Sequence, residues 1–196
     1  MQSQRLPTKA LITKELGSFS LGDDSDVYVV VKYYKGDLQL HIRRYTVNNS
    51  NKLVSTPQGV IITPVRYAQL MLDARDVTRI VNELQTGRCT EHLHKHIGGG
   101  VYVDVGLENS KSVNIRHYHR FKDSAEAVPT KIGLTLKFSE WKEFLEFEQA
   151  IKALAPEFGA AKPCSEGLDH LNQRGMLECK ECSPFVTLEE LQQMFY

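Results

Sequence analysis

An internal repeat constrains the fold of this chain more than any other feature of its sequence. Residues 27–71 can be laid over residues 101–145, with a one-residue adjustment in the middle, and the matching positions then occur in the same order. These positions are Val27-Tyr28-Val29 with Val101-Tyr102-Val103, Ile42-Arg43-Arg44-Tyr45 with Ile115-Arg116-His117-Tyr118, and Thr56 and Gly59 with Thr130 and Gly133. Ordered self-similarity of this kind predicts two copies of one structural unit.

The first copy begins with the two-residue period of strands. Apolar and polar residues alternate over 27–34, which is typical of a half-buried strand. Residues 35–37 predict a turn into a second strand over 38–45, and the apolar run 59–62 predicts a further strand. One face of this sheet is apolar and is expected to belong to the core, whereas the opposite face is polar.

A long amphipathic helix is predicted to follow these strands. Pro64 suits the first turn of a helix, where its missing N–H group costs no hydrogen bond. From Tyr67 to Leu84 apolar residues recur at steps of three and four, which indicates an apolar stripe. Gly87 is expected to end the helix.

The second copy repeats this plan. Strands are predicted over 101–105, 112–118 and 133–137. Ser139 is then expected to cap one helix that carries apolar residues as far as residue 154. The glycine run before Val101 is interpreted as the turn that leads into this copy.

The predicted fold class is α+β, with two tandem copies of a curved antiparallel sheet followed by one helix. A unit of about 60 residues is marginally stable alone, so the two helices are expected to pack together as an intramolecular pseudo-dimer with both sheets facing outward. The predicted parts are an N-terminal extension (1–17), a first repeat (18–87), a second repeat (88–158) and a C-terminal tail (159–196).

The overall charge and hydropathy narrow the classes of function. The chain has 24 basic and 24 acidic residues, which argues against a protein that coats duplex DNA by charge alone. No apolar run approaches the roughly 18 residues that a membrane crossing requires, and the N-terminus lacks the apolar stretch of a signal peptide. We therefore expect an intracellular protein with no membrane partner.

The polar faces of the predicted sheets carry basic and aromatic residues. The candidates on these faces are Lys32, Tyr34, Lys35, Arg43, Tyr45, Arg116, Tyr118 and Arg120. Arginine and lysine bind phosphates, and aromatic rings stack on bases, whose faces are accessible only in single strands. The same residues are also common on the solvated faces of ordinary sheets, but the pattern occurs in both copies and favours binding of unpaired nucleic acid.

An ordered set of short motifs resembles a known family. The first copy has Phe19-Ser20-Leu21-Gly22, Val27-Tyr28-Val29-Val30-Val31-Lys32, Tyr34-Lys35-Gly36, Ile42-Arg43-Arg44-Tyr45 and Gly59-Val60-Ile61-Ile62. The second has His96-Ile97-Gly98, Val101-Tyr102-Val103, Ile115-Arg116-His117-Tyr118, Pro129-Thr130-Lys131, Gly133 and Glu140-Trp141. Together they resemble the single-stranded DNA-binding domain of the positive cofactor four family of transcriptional coactivators, over residues 18–155.

This resemblance implies a four-stranded sheet and a helix in each copy, with pairing through the helices and two ridges that grip opposed single strands. By position, it assigns strand binding to Tyr34, Lys35 and Arg43 in the first copy and to Arg116 and Lys131 in the second. The family often has a tryptophan after the Ile-Arg-x-Tyr motif, where this chain has Thr46 and His119. His119 is therefore an additional candidate for contact with a base.

The expected function is non-enzymatic binding of single-stranded or melted DNA in the nucleus, in transcriptional coactivation or regulation together with transcription proteins. The repeats are expected to need no cofactor, and no catalytic motif is recognisable. One alternative is a protein-interaction module that keeps the fold, has lost DNA binding and uses the tail as its contact. Another alternative is a binder of single-stranded RNA, because stacking and phosphate contacts do not distinguish the sugar.

Two groups of residues could hold a metal. His92, His94 and His96 alternate along a predicted strand, where they form either a metal site or an exposed polar edge. In the tail, Cys164 and His170 precede the pair Cys179 and Cys182, and these four residues predict a structural zinc site. A reduced tail without metal and a redox-active tail are the alternatives.

Overall fold

Two antiparallel sheets of four strands each form the frame of the protein. The computed structural model describes residues 13–107, 112–122, 124, 126–167, 170 and 172–195. The first sheet contains, in spatial order, β1 (Lys14–Ser20), β2 (Val27–Tyr34), β3 (Asp37–Val47) and β4 (Leu53–Ile62). The second contains β5 (Leu93–Gly98), β6 (Val101–Val105), β7 (Ser112–Arg120) and β8 (Ala127–Lys137). The α+β class and the duplicated sheet are thus confirmed.

Several strands are longer than predicted. Residues 1–12 of the predicted N-terminal extension lie outside the described residues, and residues 14–17 of that extension belong to β1. β4 and β8 begin earlier than the apolar runs 59–62 and 133–137. Their polar first halves remain paired with β3 and β7 beyond a β-bulge, which hydrophobic alternation does not reveal.

The first helix, α1 (Pro64–Gln85), agrees with the prediction. Thr63 caps its N-terminus by accepting a hydrogen bond from the Arg66 N–H group, and Pro64 follows in the first turn. The helix ends where Gly87 adopts a φ of 68°. This left-handed conformation favours glycine and turns the chain away from the helix axis.

The predicted second helix is wrong in two details. It is divided at Phe147 into α2 (Phe138–Glu146) and α3 (Glu148–Leu154), and α4 (Glu157–Ala160) follows. Ser139 is not the cap, because β8 runs directly into α2, which begins at Phe138 with Lys137 in the cap position. The Glu140 carboxylate accepts the Lys137 N–H group at 2.7 Å instead. The second sheet is therefore followed by several short helices rather than by one.

The glycine run lies within the second copy rather than before it. Gly98, Gly99 and Gly100 have φ values of 118°, 56° and 76° and form the tight turn between β5 and β6. Since β5 precedes this turn, the second copy contains the strand that corresponds to β1. The four-stranded sheet implied by the family resemblance is therefore present in both copies.

The apolar faces of both sheets form one core with the helices. α1 contacts strands of both sheets, and in the second copy it packs mainly against β5. The Trp141 ring of α2 is fully buried and donates a hydrogen bond from Nε1 to Thr78 of α1 at 3.1 Å. β4 also lies beside β8, where Arg44 donates to the Thr135 carbonyl oxygen at 2.9 Å. The functional pairing of the copies as a pseudo-dimer stays a prediction.

The tail contains a 3₁₀ turn (Cys164–Glu166), α5 (Gln173–Glu178) and α6 (Leu188–Phe195). Glu181, in the segment between α5 and α6, forms a two-pronged ion pair with Arg66 of α1, with both N–O distances at 2.7 Å. The Glu181 carbonyl oxygen also accepts the Gly99 N–H group at 2.9 Å. Within the described part of the chain, none of the helices combines the length and the apolar character of a membrane-crossing segment.

Candidate nucleic-acid interface and metal centre

At equivalent positions of both sheets, an arginine side chain binds the backbone of the neighbouring strand, and we call this arrangement the arginine clip. Arg43 lies opposite Gly59 in the pairing of β3 with β4, and Arg116 lies opposite Gly133 in the pairing of β7 with β8. Each arginine donates from Nη1 to the carbonyl oxygen of the repeated threonine, Thr56 or Thr130, at 2.7 and 2.8 Å respectively. A β-bulge follows each arginine.

The glycines are needed because the arginine side chains pass directly over them. A Cβ atom on Gly59 would lie 2.7 Å from the Ile42 carbonyl oxygen and 2.8 Å from the Arg43 Cβ atom. A Cβ atom on Gly133 would come equally close to the carbonyl oxygen of Ile115 and to Arg116. The repeated arginine, glycine and threonine therefore form one local structure, and the sequence repeat has a physical cause.

Paired tyrosines accompany each clip on the polar face. Tyr28 contacts Tyr45 edge-on with ring centroids 5.0 Å apart, and Tyr102 contacts Tyr118 at 4.6 Å. These four rings are half-buried. Aromatic rings and guanidinium groups are the residue types that contact unpaired strands by stacking on bases and by binding phosphates.

The first face is basic at its centre. Lys32 and Arg43 lie on the same side of β2 and β3, and burial followed by the charge of Arg43 lowers the pKa of Lys32. His41 lies between them and is buried. Burial, Lys32 and Arg43 together lower the pKa of His41 to about 4. His41 is therefore neutral at physiological pH, and the positive charge of this face comes from lysine and arginine.

Other predicted residues lie at the margins of the faces. Tyr34 and Lys35 are exposed at the turn between β2 and β3, where the Lys35 Nζ atom is 5.4 Å from the centroid of the Tyr34 ring. His119 is exposed near the end of β7 and contacts the ring of Phe121. Lys131 is exposed on β8.

Arg120 does not lie on the open part of the second face. Its guanidinium group donates to both carboxylate oxygens of Glu190 at 2.8 Å and to the carbonyl oxygen of Phe185. Glu190 belongs to α6 and Phe185 precedes it, so the tail covers this arginine. The sequence prediction missed this contact because nothing local to Arg120 indicates a partner 70 residues away.

A cavity of about 730 Å³ joins the two copies. It is lined by residues of β3 and β4 together with residues of β7 and β8. Among the predicted binding residues, it brings together Tyr45, Arg116 and Lys131. The structure therefore connects candidates from both sheets along the edge where β4 meets β8.

The alternating histidines converge on a carboxylate that sequence reasoning missed. His92 Nε2 contacts one oxygen of Asp104, and His94 Nδ1 lies 2.7 Å from the other. Tyr118 donates to Asp104 at 2.9 Å. Burial raises the pKa of Asp104, but hydrogen bonds from His94, Tyr118 and His92 outweigh it and hold the pKa below its ordinary value. The signal for this cluster is the alternation of β6, which places Asp104 on the polar face beside Tyr102.

The third alternating histidine has a different contact. His96 is half-buried, and its Nε2 atom accepts the Gly100 N–H group at 3.1 Å. His92 and His94 are exposed. The three imidazoles share a face as predicted, but their hydrogen bonds differ, and the interpretation as a polar edge fits better than a three-histidine metal site.

The predicted metal ligands of the tail do come together. The ligand atoms of Cys164, His170, Cys179 and Cys182 all lie within 4.8 Å of one another, and the cysteines are free thiols. The Cys164 Sγ atom is 3.4 Å from the Cys179 Sγ atom and 3.6 Å from the His170 Nε2 atom. Ligands about 2.3 Å from a tetrahedral zinc ion are about 3.8 Å apart, so the cluster could hold a metal ion with little rearrangement.

The thiols of this cluster differ electrostatically. Burial followed by hydrogen bonding to Cys179 raises the pKa of Cys164 to about 12. Burial also acts to raise the pKa of Cys179, but backbone and side-chain hydrogen bonds, chiefly from the Cys182 N–H group and His170, lower it to about 7. One thiolate is thus available near neutral pH to begin binding a cation, and a bound metal would favour deprotonation of the others.

Comparisons with known proteins do not test the family resemblance. No protein-family model, no curated protein and no solved structure matches this chain. The assignment of binding residues therefore depends on the geometry of the two faces.

Proposed function

We propose that this protein binds unpaired nucleic-acid strands, in particular single-stranded or melted DNA, through the polar faces of its two sheets, without catalysing a reaction. The observation that carries the proposal is that each sheet has an arginine clip next to a pair of tyrosines. The first sheet has Arg43 with Tyr28 and Tyr45. The second has Arg116 with Tyr102 and Tyr118. Tyrosines and basic residues are common on the solvated faces of ordinary sheets, and the same arrangement in both copies is what favours binding. Phosphate contacts beside stacking rings suit strands whose bases are accessible.

The resemblance to the positive cofactor four family supports a more specific proposal. The two copies would act as an intramolecular pseudo-dimer that presents two strand-binding ridges, and the protein would serve transcription in the nucleus as a coactivator or regulator. The contacts of α1 with the second sheet and the cavity shared by β4 and β8 are compatible with joint action of the two copies.

We also propose that the tail cluster binds a structural zinc ion. Three cysteines and one histidine are a common donor set for such sites. The loop that carries Cys179 and Cys182 also carries Glu181, which is paired with Arg66. A metal in this cluster would fix the loop and thereby hold the tail against α1 and the glycine turn.

The decisive experiment is a titration of labelled single- and double-stranded oligonucleotides at two salt concentrations. Arg43→Ala combined with Arg116→Ala should weaken binding to the single strand. The slope of log affinity against log salt should become shallower by about 1.4, because each lost single-strand phosphate contact contributes about 0.7. Arg43→Lys combined with Arg116→Lys is the matched control, since it keeps both charges and should keep most of the salt slope.

The clips also have a structural role, so unfolding of each variant must be followed in parallel. An unchanged affinity and slope in the alanine variant would reject these faces as the binding site. Failure of the native protein to bind any oligonucleotide would instead favour the protein-interaction alternative, in which the arginines serve only as clips. An RNA oligonucleotide of the same sequence, bound more tightly than the DNA, would favour the RNA alternative.

A further inference from the structure

The polar face of the second sheet contains a pair of histidines besides its arginine clip. His92 and His94 project from the edge strand β5 and its approach, and both contact the buried carboxylate of Asp104 on β6. Their own side chains are 54% and 39% exposed, so one edge of each ring faces solvent. The His94 ring also stacks on Tyr102, with centroids 4.6 Å apart, which fixes its orientation.

The contacts with Asp104 determine which nitrogen of each neutral imidazole carries the proton. An ionised carboxylate can only accept hydrogen bonds, so His92 Nε2 and His94 Nδ1 both donate to Asp104. The remaining nitrogens are His92 Nδ1 and His94 Nε2. A neutral ring has no proton on this nitrogen and can only accept, whereas a protonated ring donates from it. Each histidine therefore becomes a donor for an anion only when it takes up a proton.

The surroundings of the pair are rich in positive charge. An open cavity of about 770 Å³ includes both histidines, Asp104, Arg116 on β7 and Lys131 on β8. Among the described residues of this face, the other ionisable groups are His96, Tyr102, Tyr118 and Arg120, and Arg120 is paired with Glu190 of the tail. Burial raises the pKa of Tyr102, and burial with Asp104 raises that of Tyr118 to about 12, so both phenols remain neutral. The cavity then carries one net positive charge when both imidazoles are neutral and three when both are protonated.

We infer that His92, His94, Arg116 and Lys131 form a phosphate-binding subsite for the backbone of an unpaired strand, in which Asp104 orients the two histidines. This inference rests on the proposed function and extends it to two residues outside the predicted binding set. Because a phosphate oxygen needs donors, strand binding at this subsite is accompanied by proton uptake. Linkage then requires that strand affinity rise as pH falls.

Among the described residues of the first face, no carboxylate holds a pair of exposed histidines. The position of Asp104 is taken there by Val30, which pairs with His41 in the neighbouring strand. His41 is buried, and its pKa of about 4 keeps it neutral at physiological pH. The two faces are therefore expected to respond differently to pH, and the first face acts as an internal reference for the second.

The test is the affinity of the full-length protein for a labelled oligothymidylate at about pH 6 and about pH 8, at constant ionic strength. Each imidazolium about 4 Å from a phosphate should strengthen binding about fivefold in a medium like water, so the native protein should bind about 5- to 30-fold more tightly at the lower pH. His92→Gln combined with His94→Gln should remove most of this difference. His117→Gln, which changes a histidine outside the cavity, should leave it in place.

A second measurement on the native protein makes the conclusion independent of the variants. Pyrophosphate added at about pH 6.5 should shift the imidazole ¹H–¹⁵N signals of His92 and His94 and raise the midpoints of their titrations. A pH response that persists in the double variant, or a native protein whose strand affinity is independent of pH, would overturn the subsite while leaving the proposed function intact. Absence of strand binding at every pH would reject the proposed function and the subsite with it.

Discussion

Replacement of Gly59 by alanine tests whether the arginine clip depends on the absence of a side chain beneath it. The added Cβ atom would lie 2.7 Å from the Ile42 carbonyl oxygen and 2.8 and 2.9 Å from the Cβ and Cγ atoms of Arg43. The carbonyl belongs to the paired backbone of β3 and cannot move without disturbing the ladder, while Arg43 is tethered to the Thr56 carbonyl oxygen. Overpacking of this kind costs about 1–3 kcal/mol. The arginine would also be displaced, so strand affinity should fall together with the free energy of unfolding.

Thermal and denaturant unfolding measure the first effect, and the oligonucleotide titration measures the second. For a chain of this length a loss of 1–3 kcal/mol corresponds to a fall of roughly 2–12 °C in Tm. Gly159→Ala is the matched control, because its Cβ atom would lie 3.5 Å from the flexible side chain of Lys152, an ordinary contact within a short helix. A Gly59→Ala protein as stable as this control, with unchanged strand affinity, would refute the proposed dependence of the clip on glycine.

Three further predictions concern the tail and the buried histidine. Protein purified without added zinc should contain about one equivalent of zinc, and less than half an equivalent in protein whose tail remains ordered after chelation would contradict the proposed site. Glu181→Gln should weaken the pairing with Arg66 and speed proteolysis in the tail but not in the sheets; equal cleavage of native and variant protein would contradict it. Because the pKa of His41 is lowered in the folded protein, the unfolded chain binds the proton more tightly and stability should fall as pH decreases from about 6.5 to about 4. His41→Gln should reduce this slope in urea unfolding, and an unchanged slope would show that another group causes it.

The repeat could be predicted from the sequence because its repeated residues contact one another in each copy. The arginine passes over the glycine of the adjacent strand, and the threonine hydroxyl donates to the carbonyl oxygen of the residue after the arginine, so the three residues form one local structure in each copy. β2 and α1 could also be predicted, because the spacing of apolar residues within each segment indicates a strand or a helix without reference to any other part of the chain. The convergence of Cys164, His170, Cys179 and Cys182 in the tail could be predicted because metal sites require a limited set of residues at short spacings.

The parts that could not be predicted depend on contacts between distant segments. The break at Phe147 coincides with stacking of its ring on Phe19 of β1, with centroids 4.7 Å apart, and no local helix signal reveals it. Arg120 resembles the other basic residues of the faces in sequence, yet Glu190 of the tail holds it. The contacts of Asp104 with His92 and His94 depend on the register of β5 against β6. The sequence did not predict this register, because the glycine turn was expected before the second copy.

Because both copies belong to one chain, the two faces can carry different residues at equivalent positions. In a homodimer every substitution appears on both symmetric faces, so a pH-sensitive subsite would be present twice or not at all. Here Val30 and Asp104 occupy equivalent positions, and only Asp104 can orient a pair of imidazoles. The first face keeps a fixed charge around the neutral His41, while the charge of the second depends on His92 and His94. Under the proposed function, the first face is expected to bind a strand independently of pH in this range and the second in response to pH. Asp104→Val, which places the residue of the first face at this position, should reduce the pH dependence of affinity because the two imidazoles lose the carboxylate that orients them, and an undiminished dependence would show that Asp104 does not contribute to it.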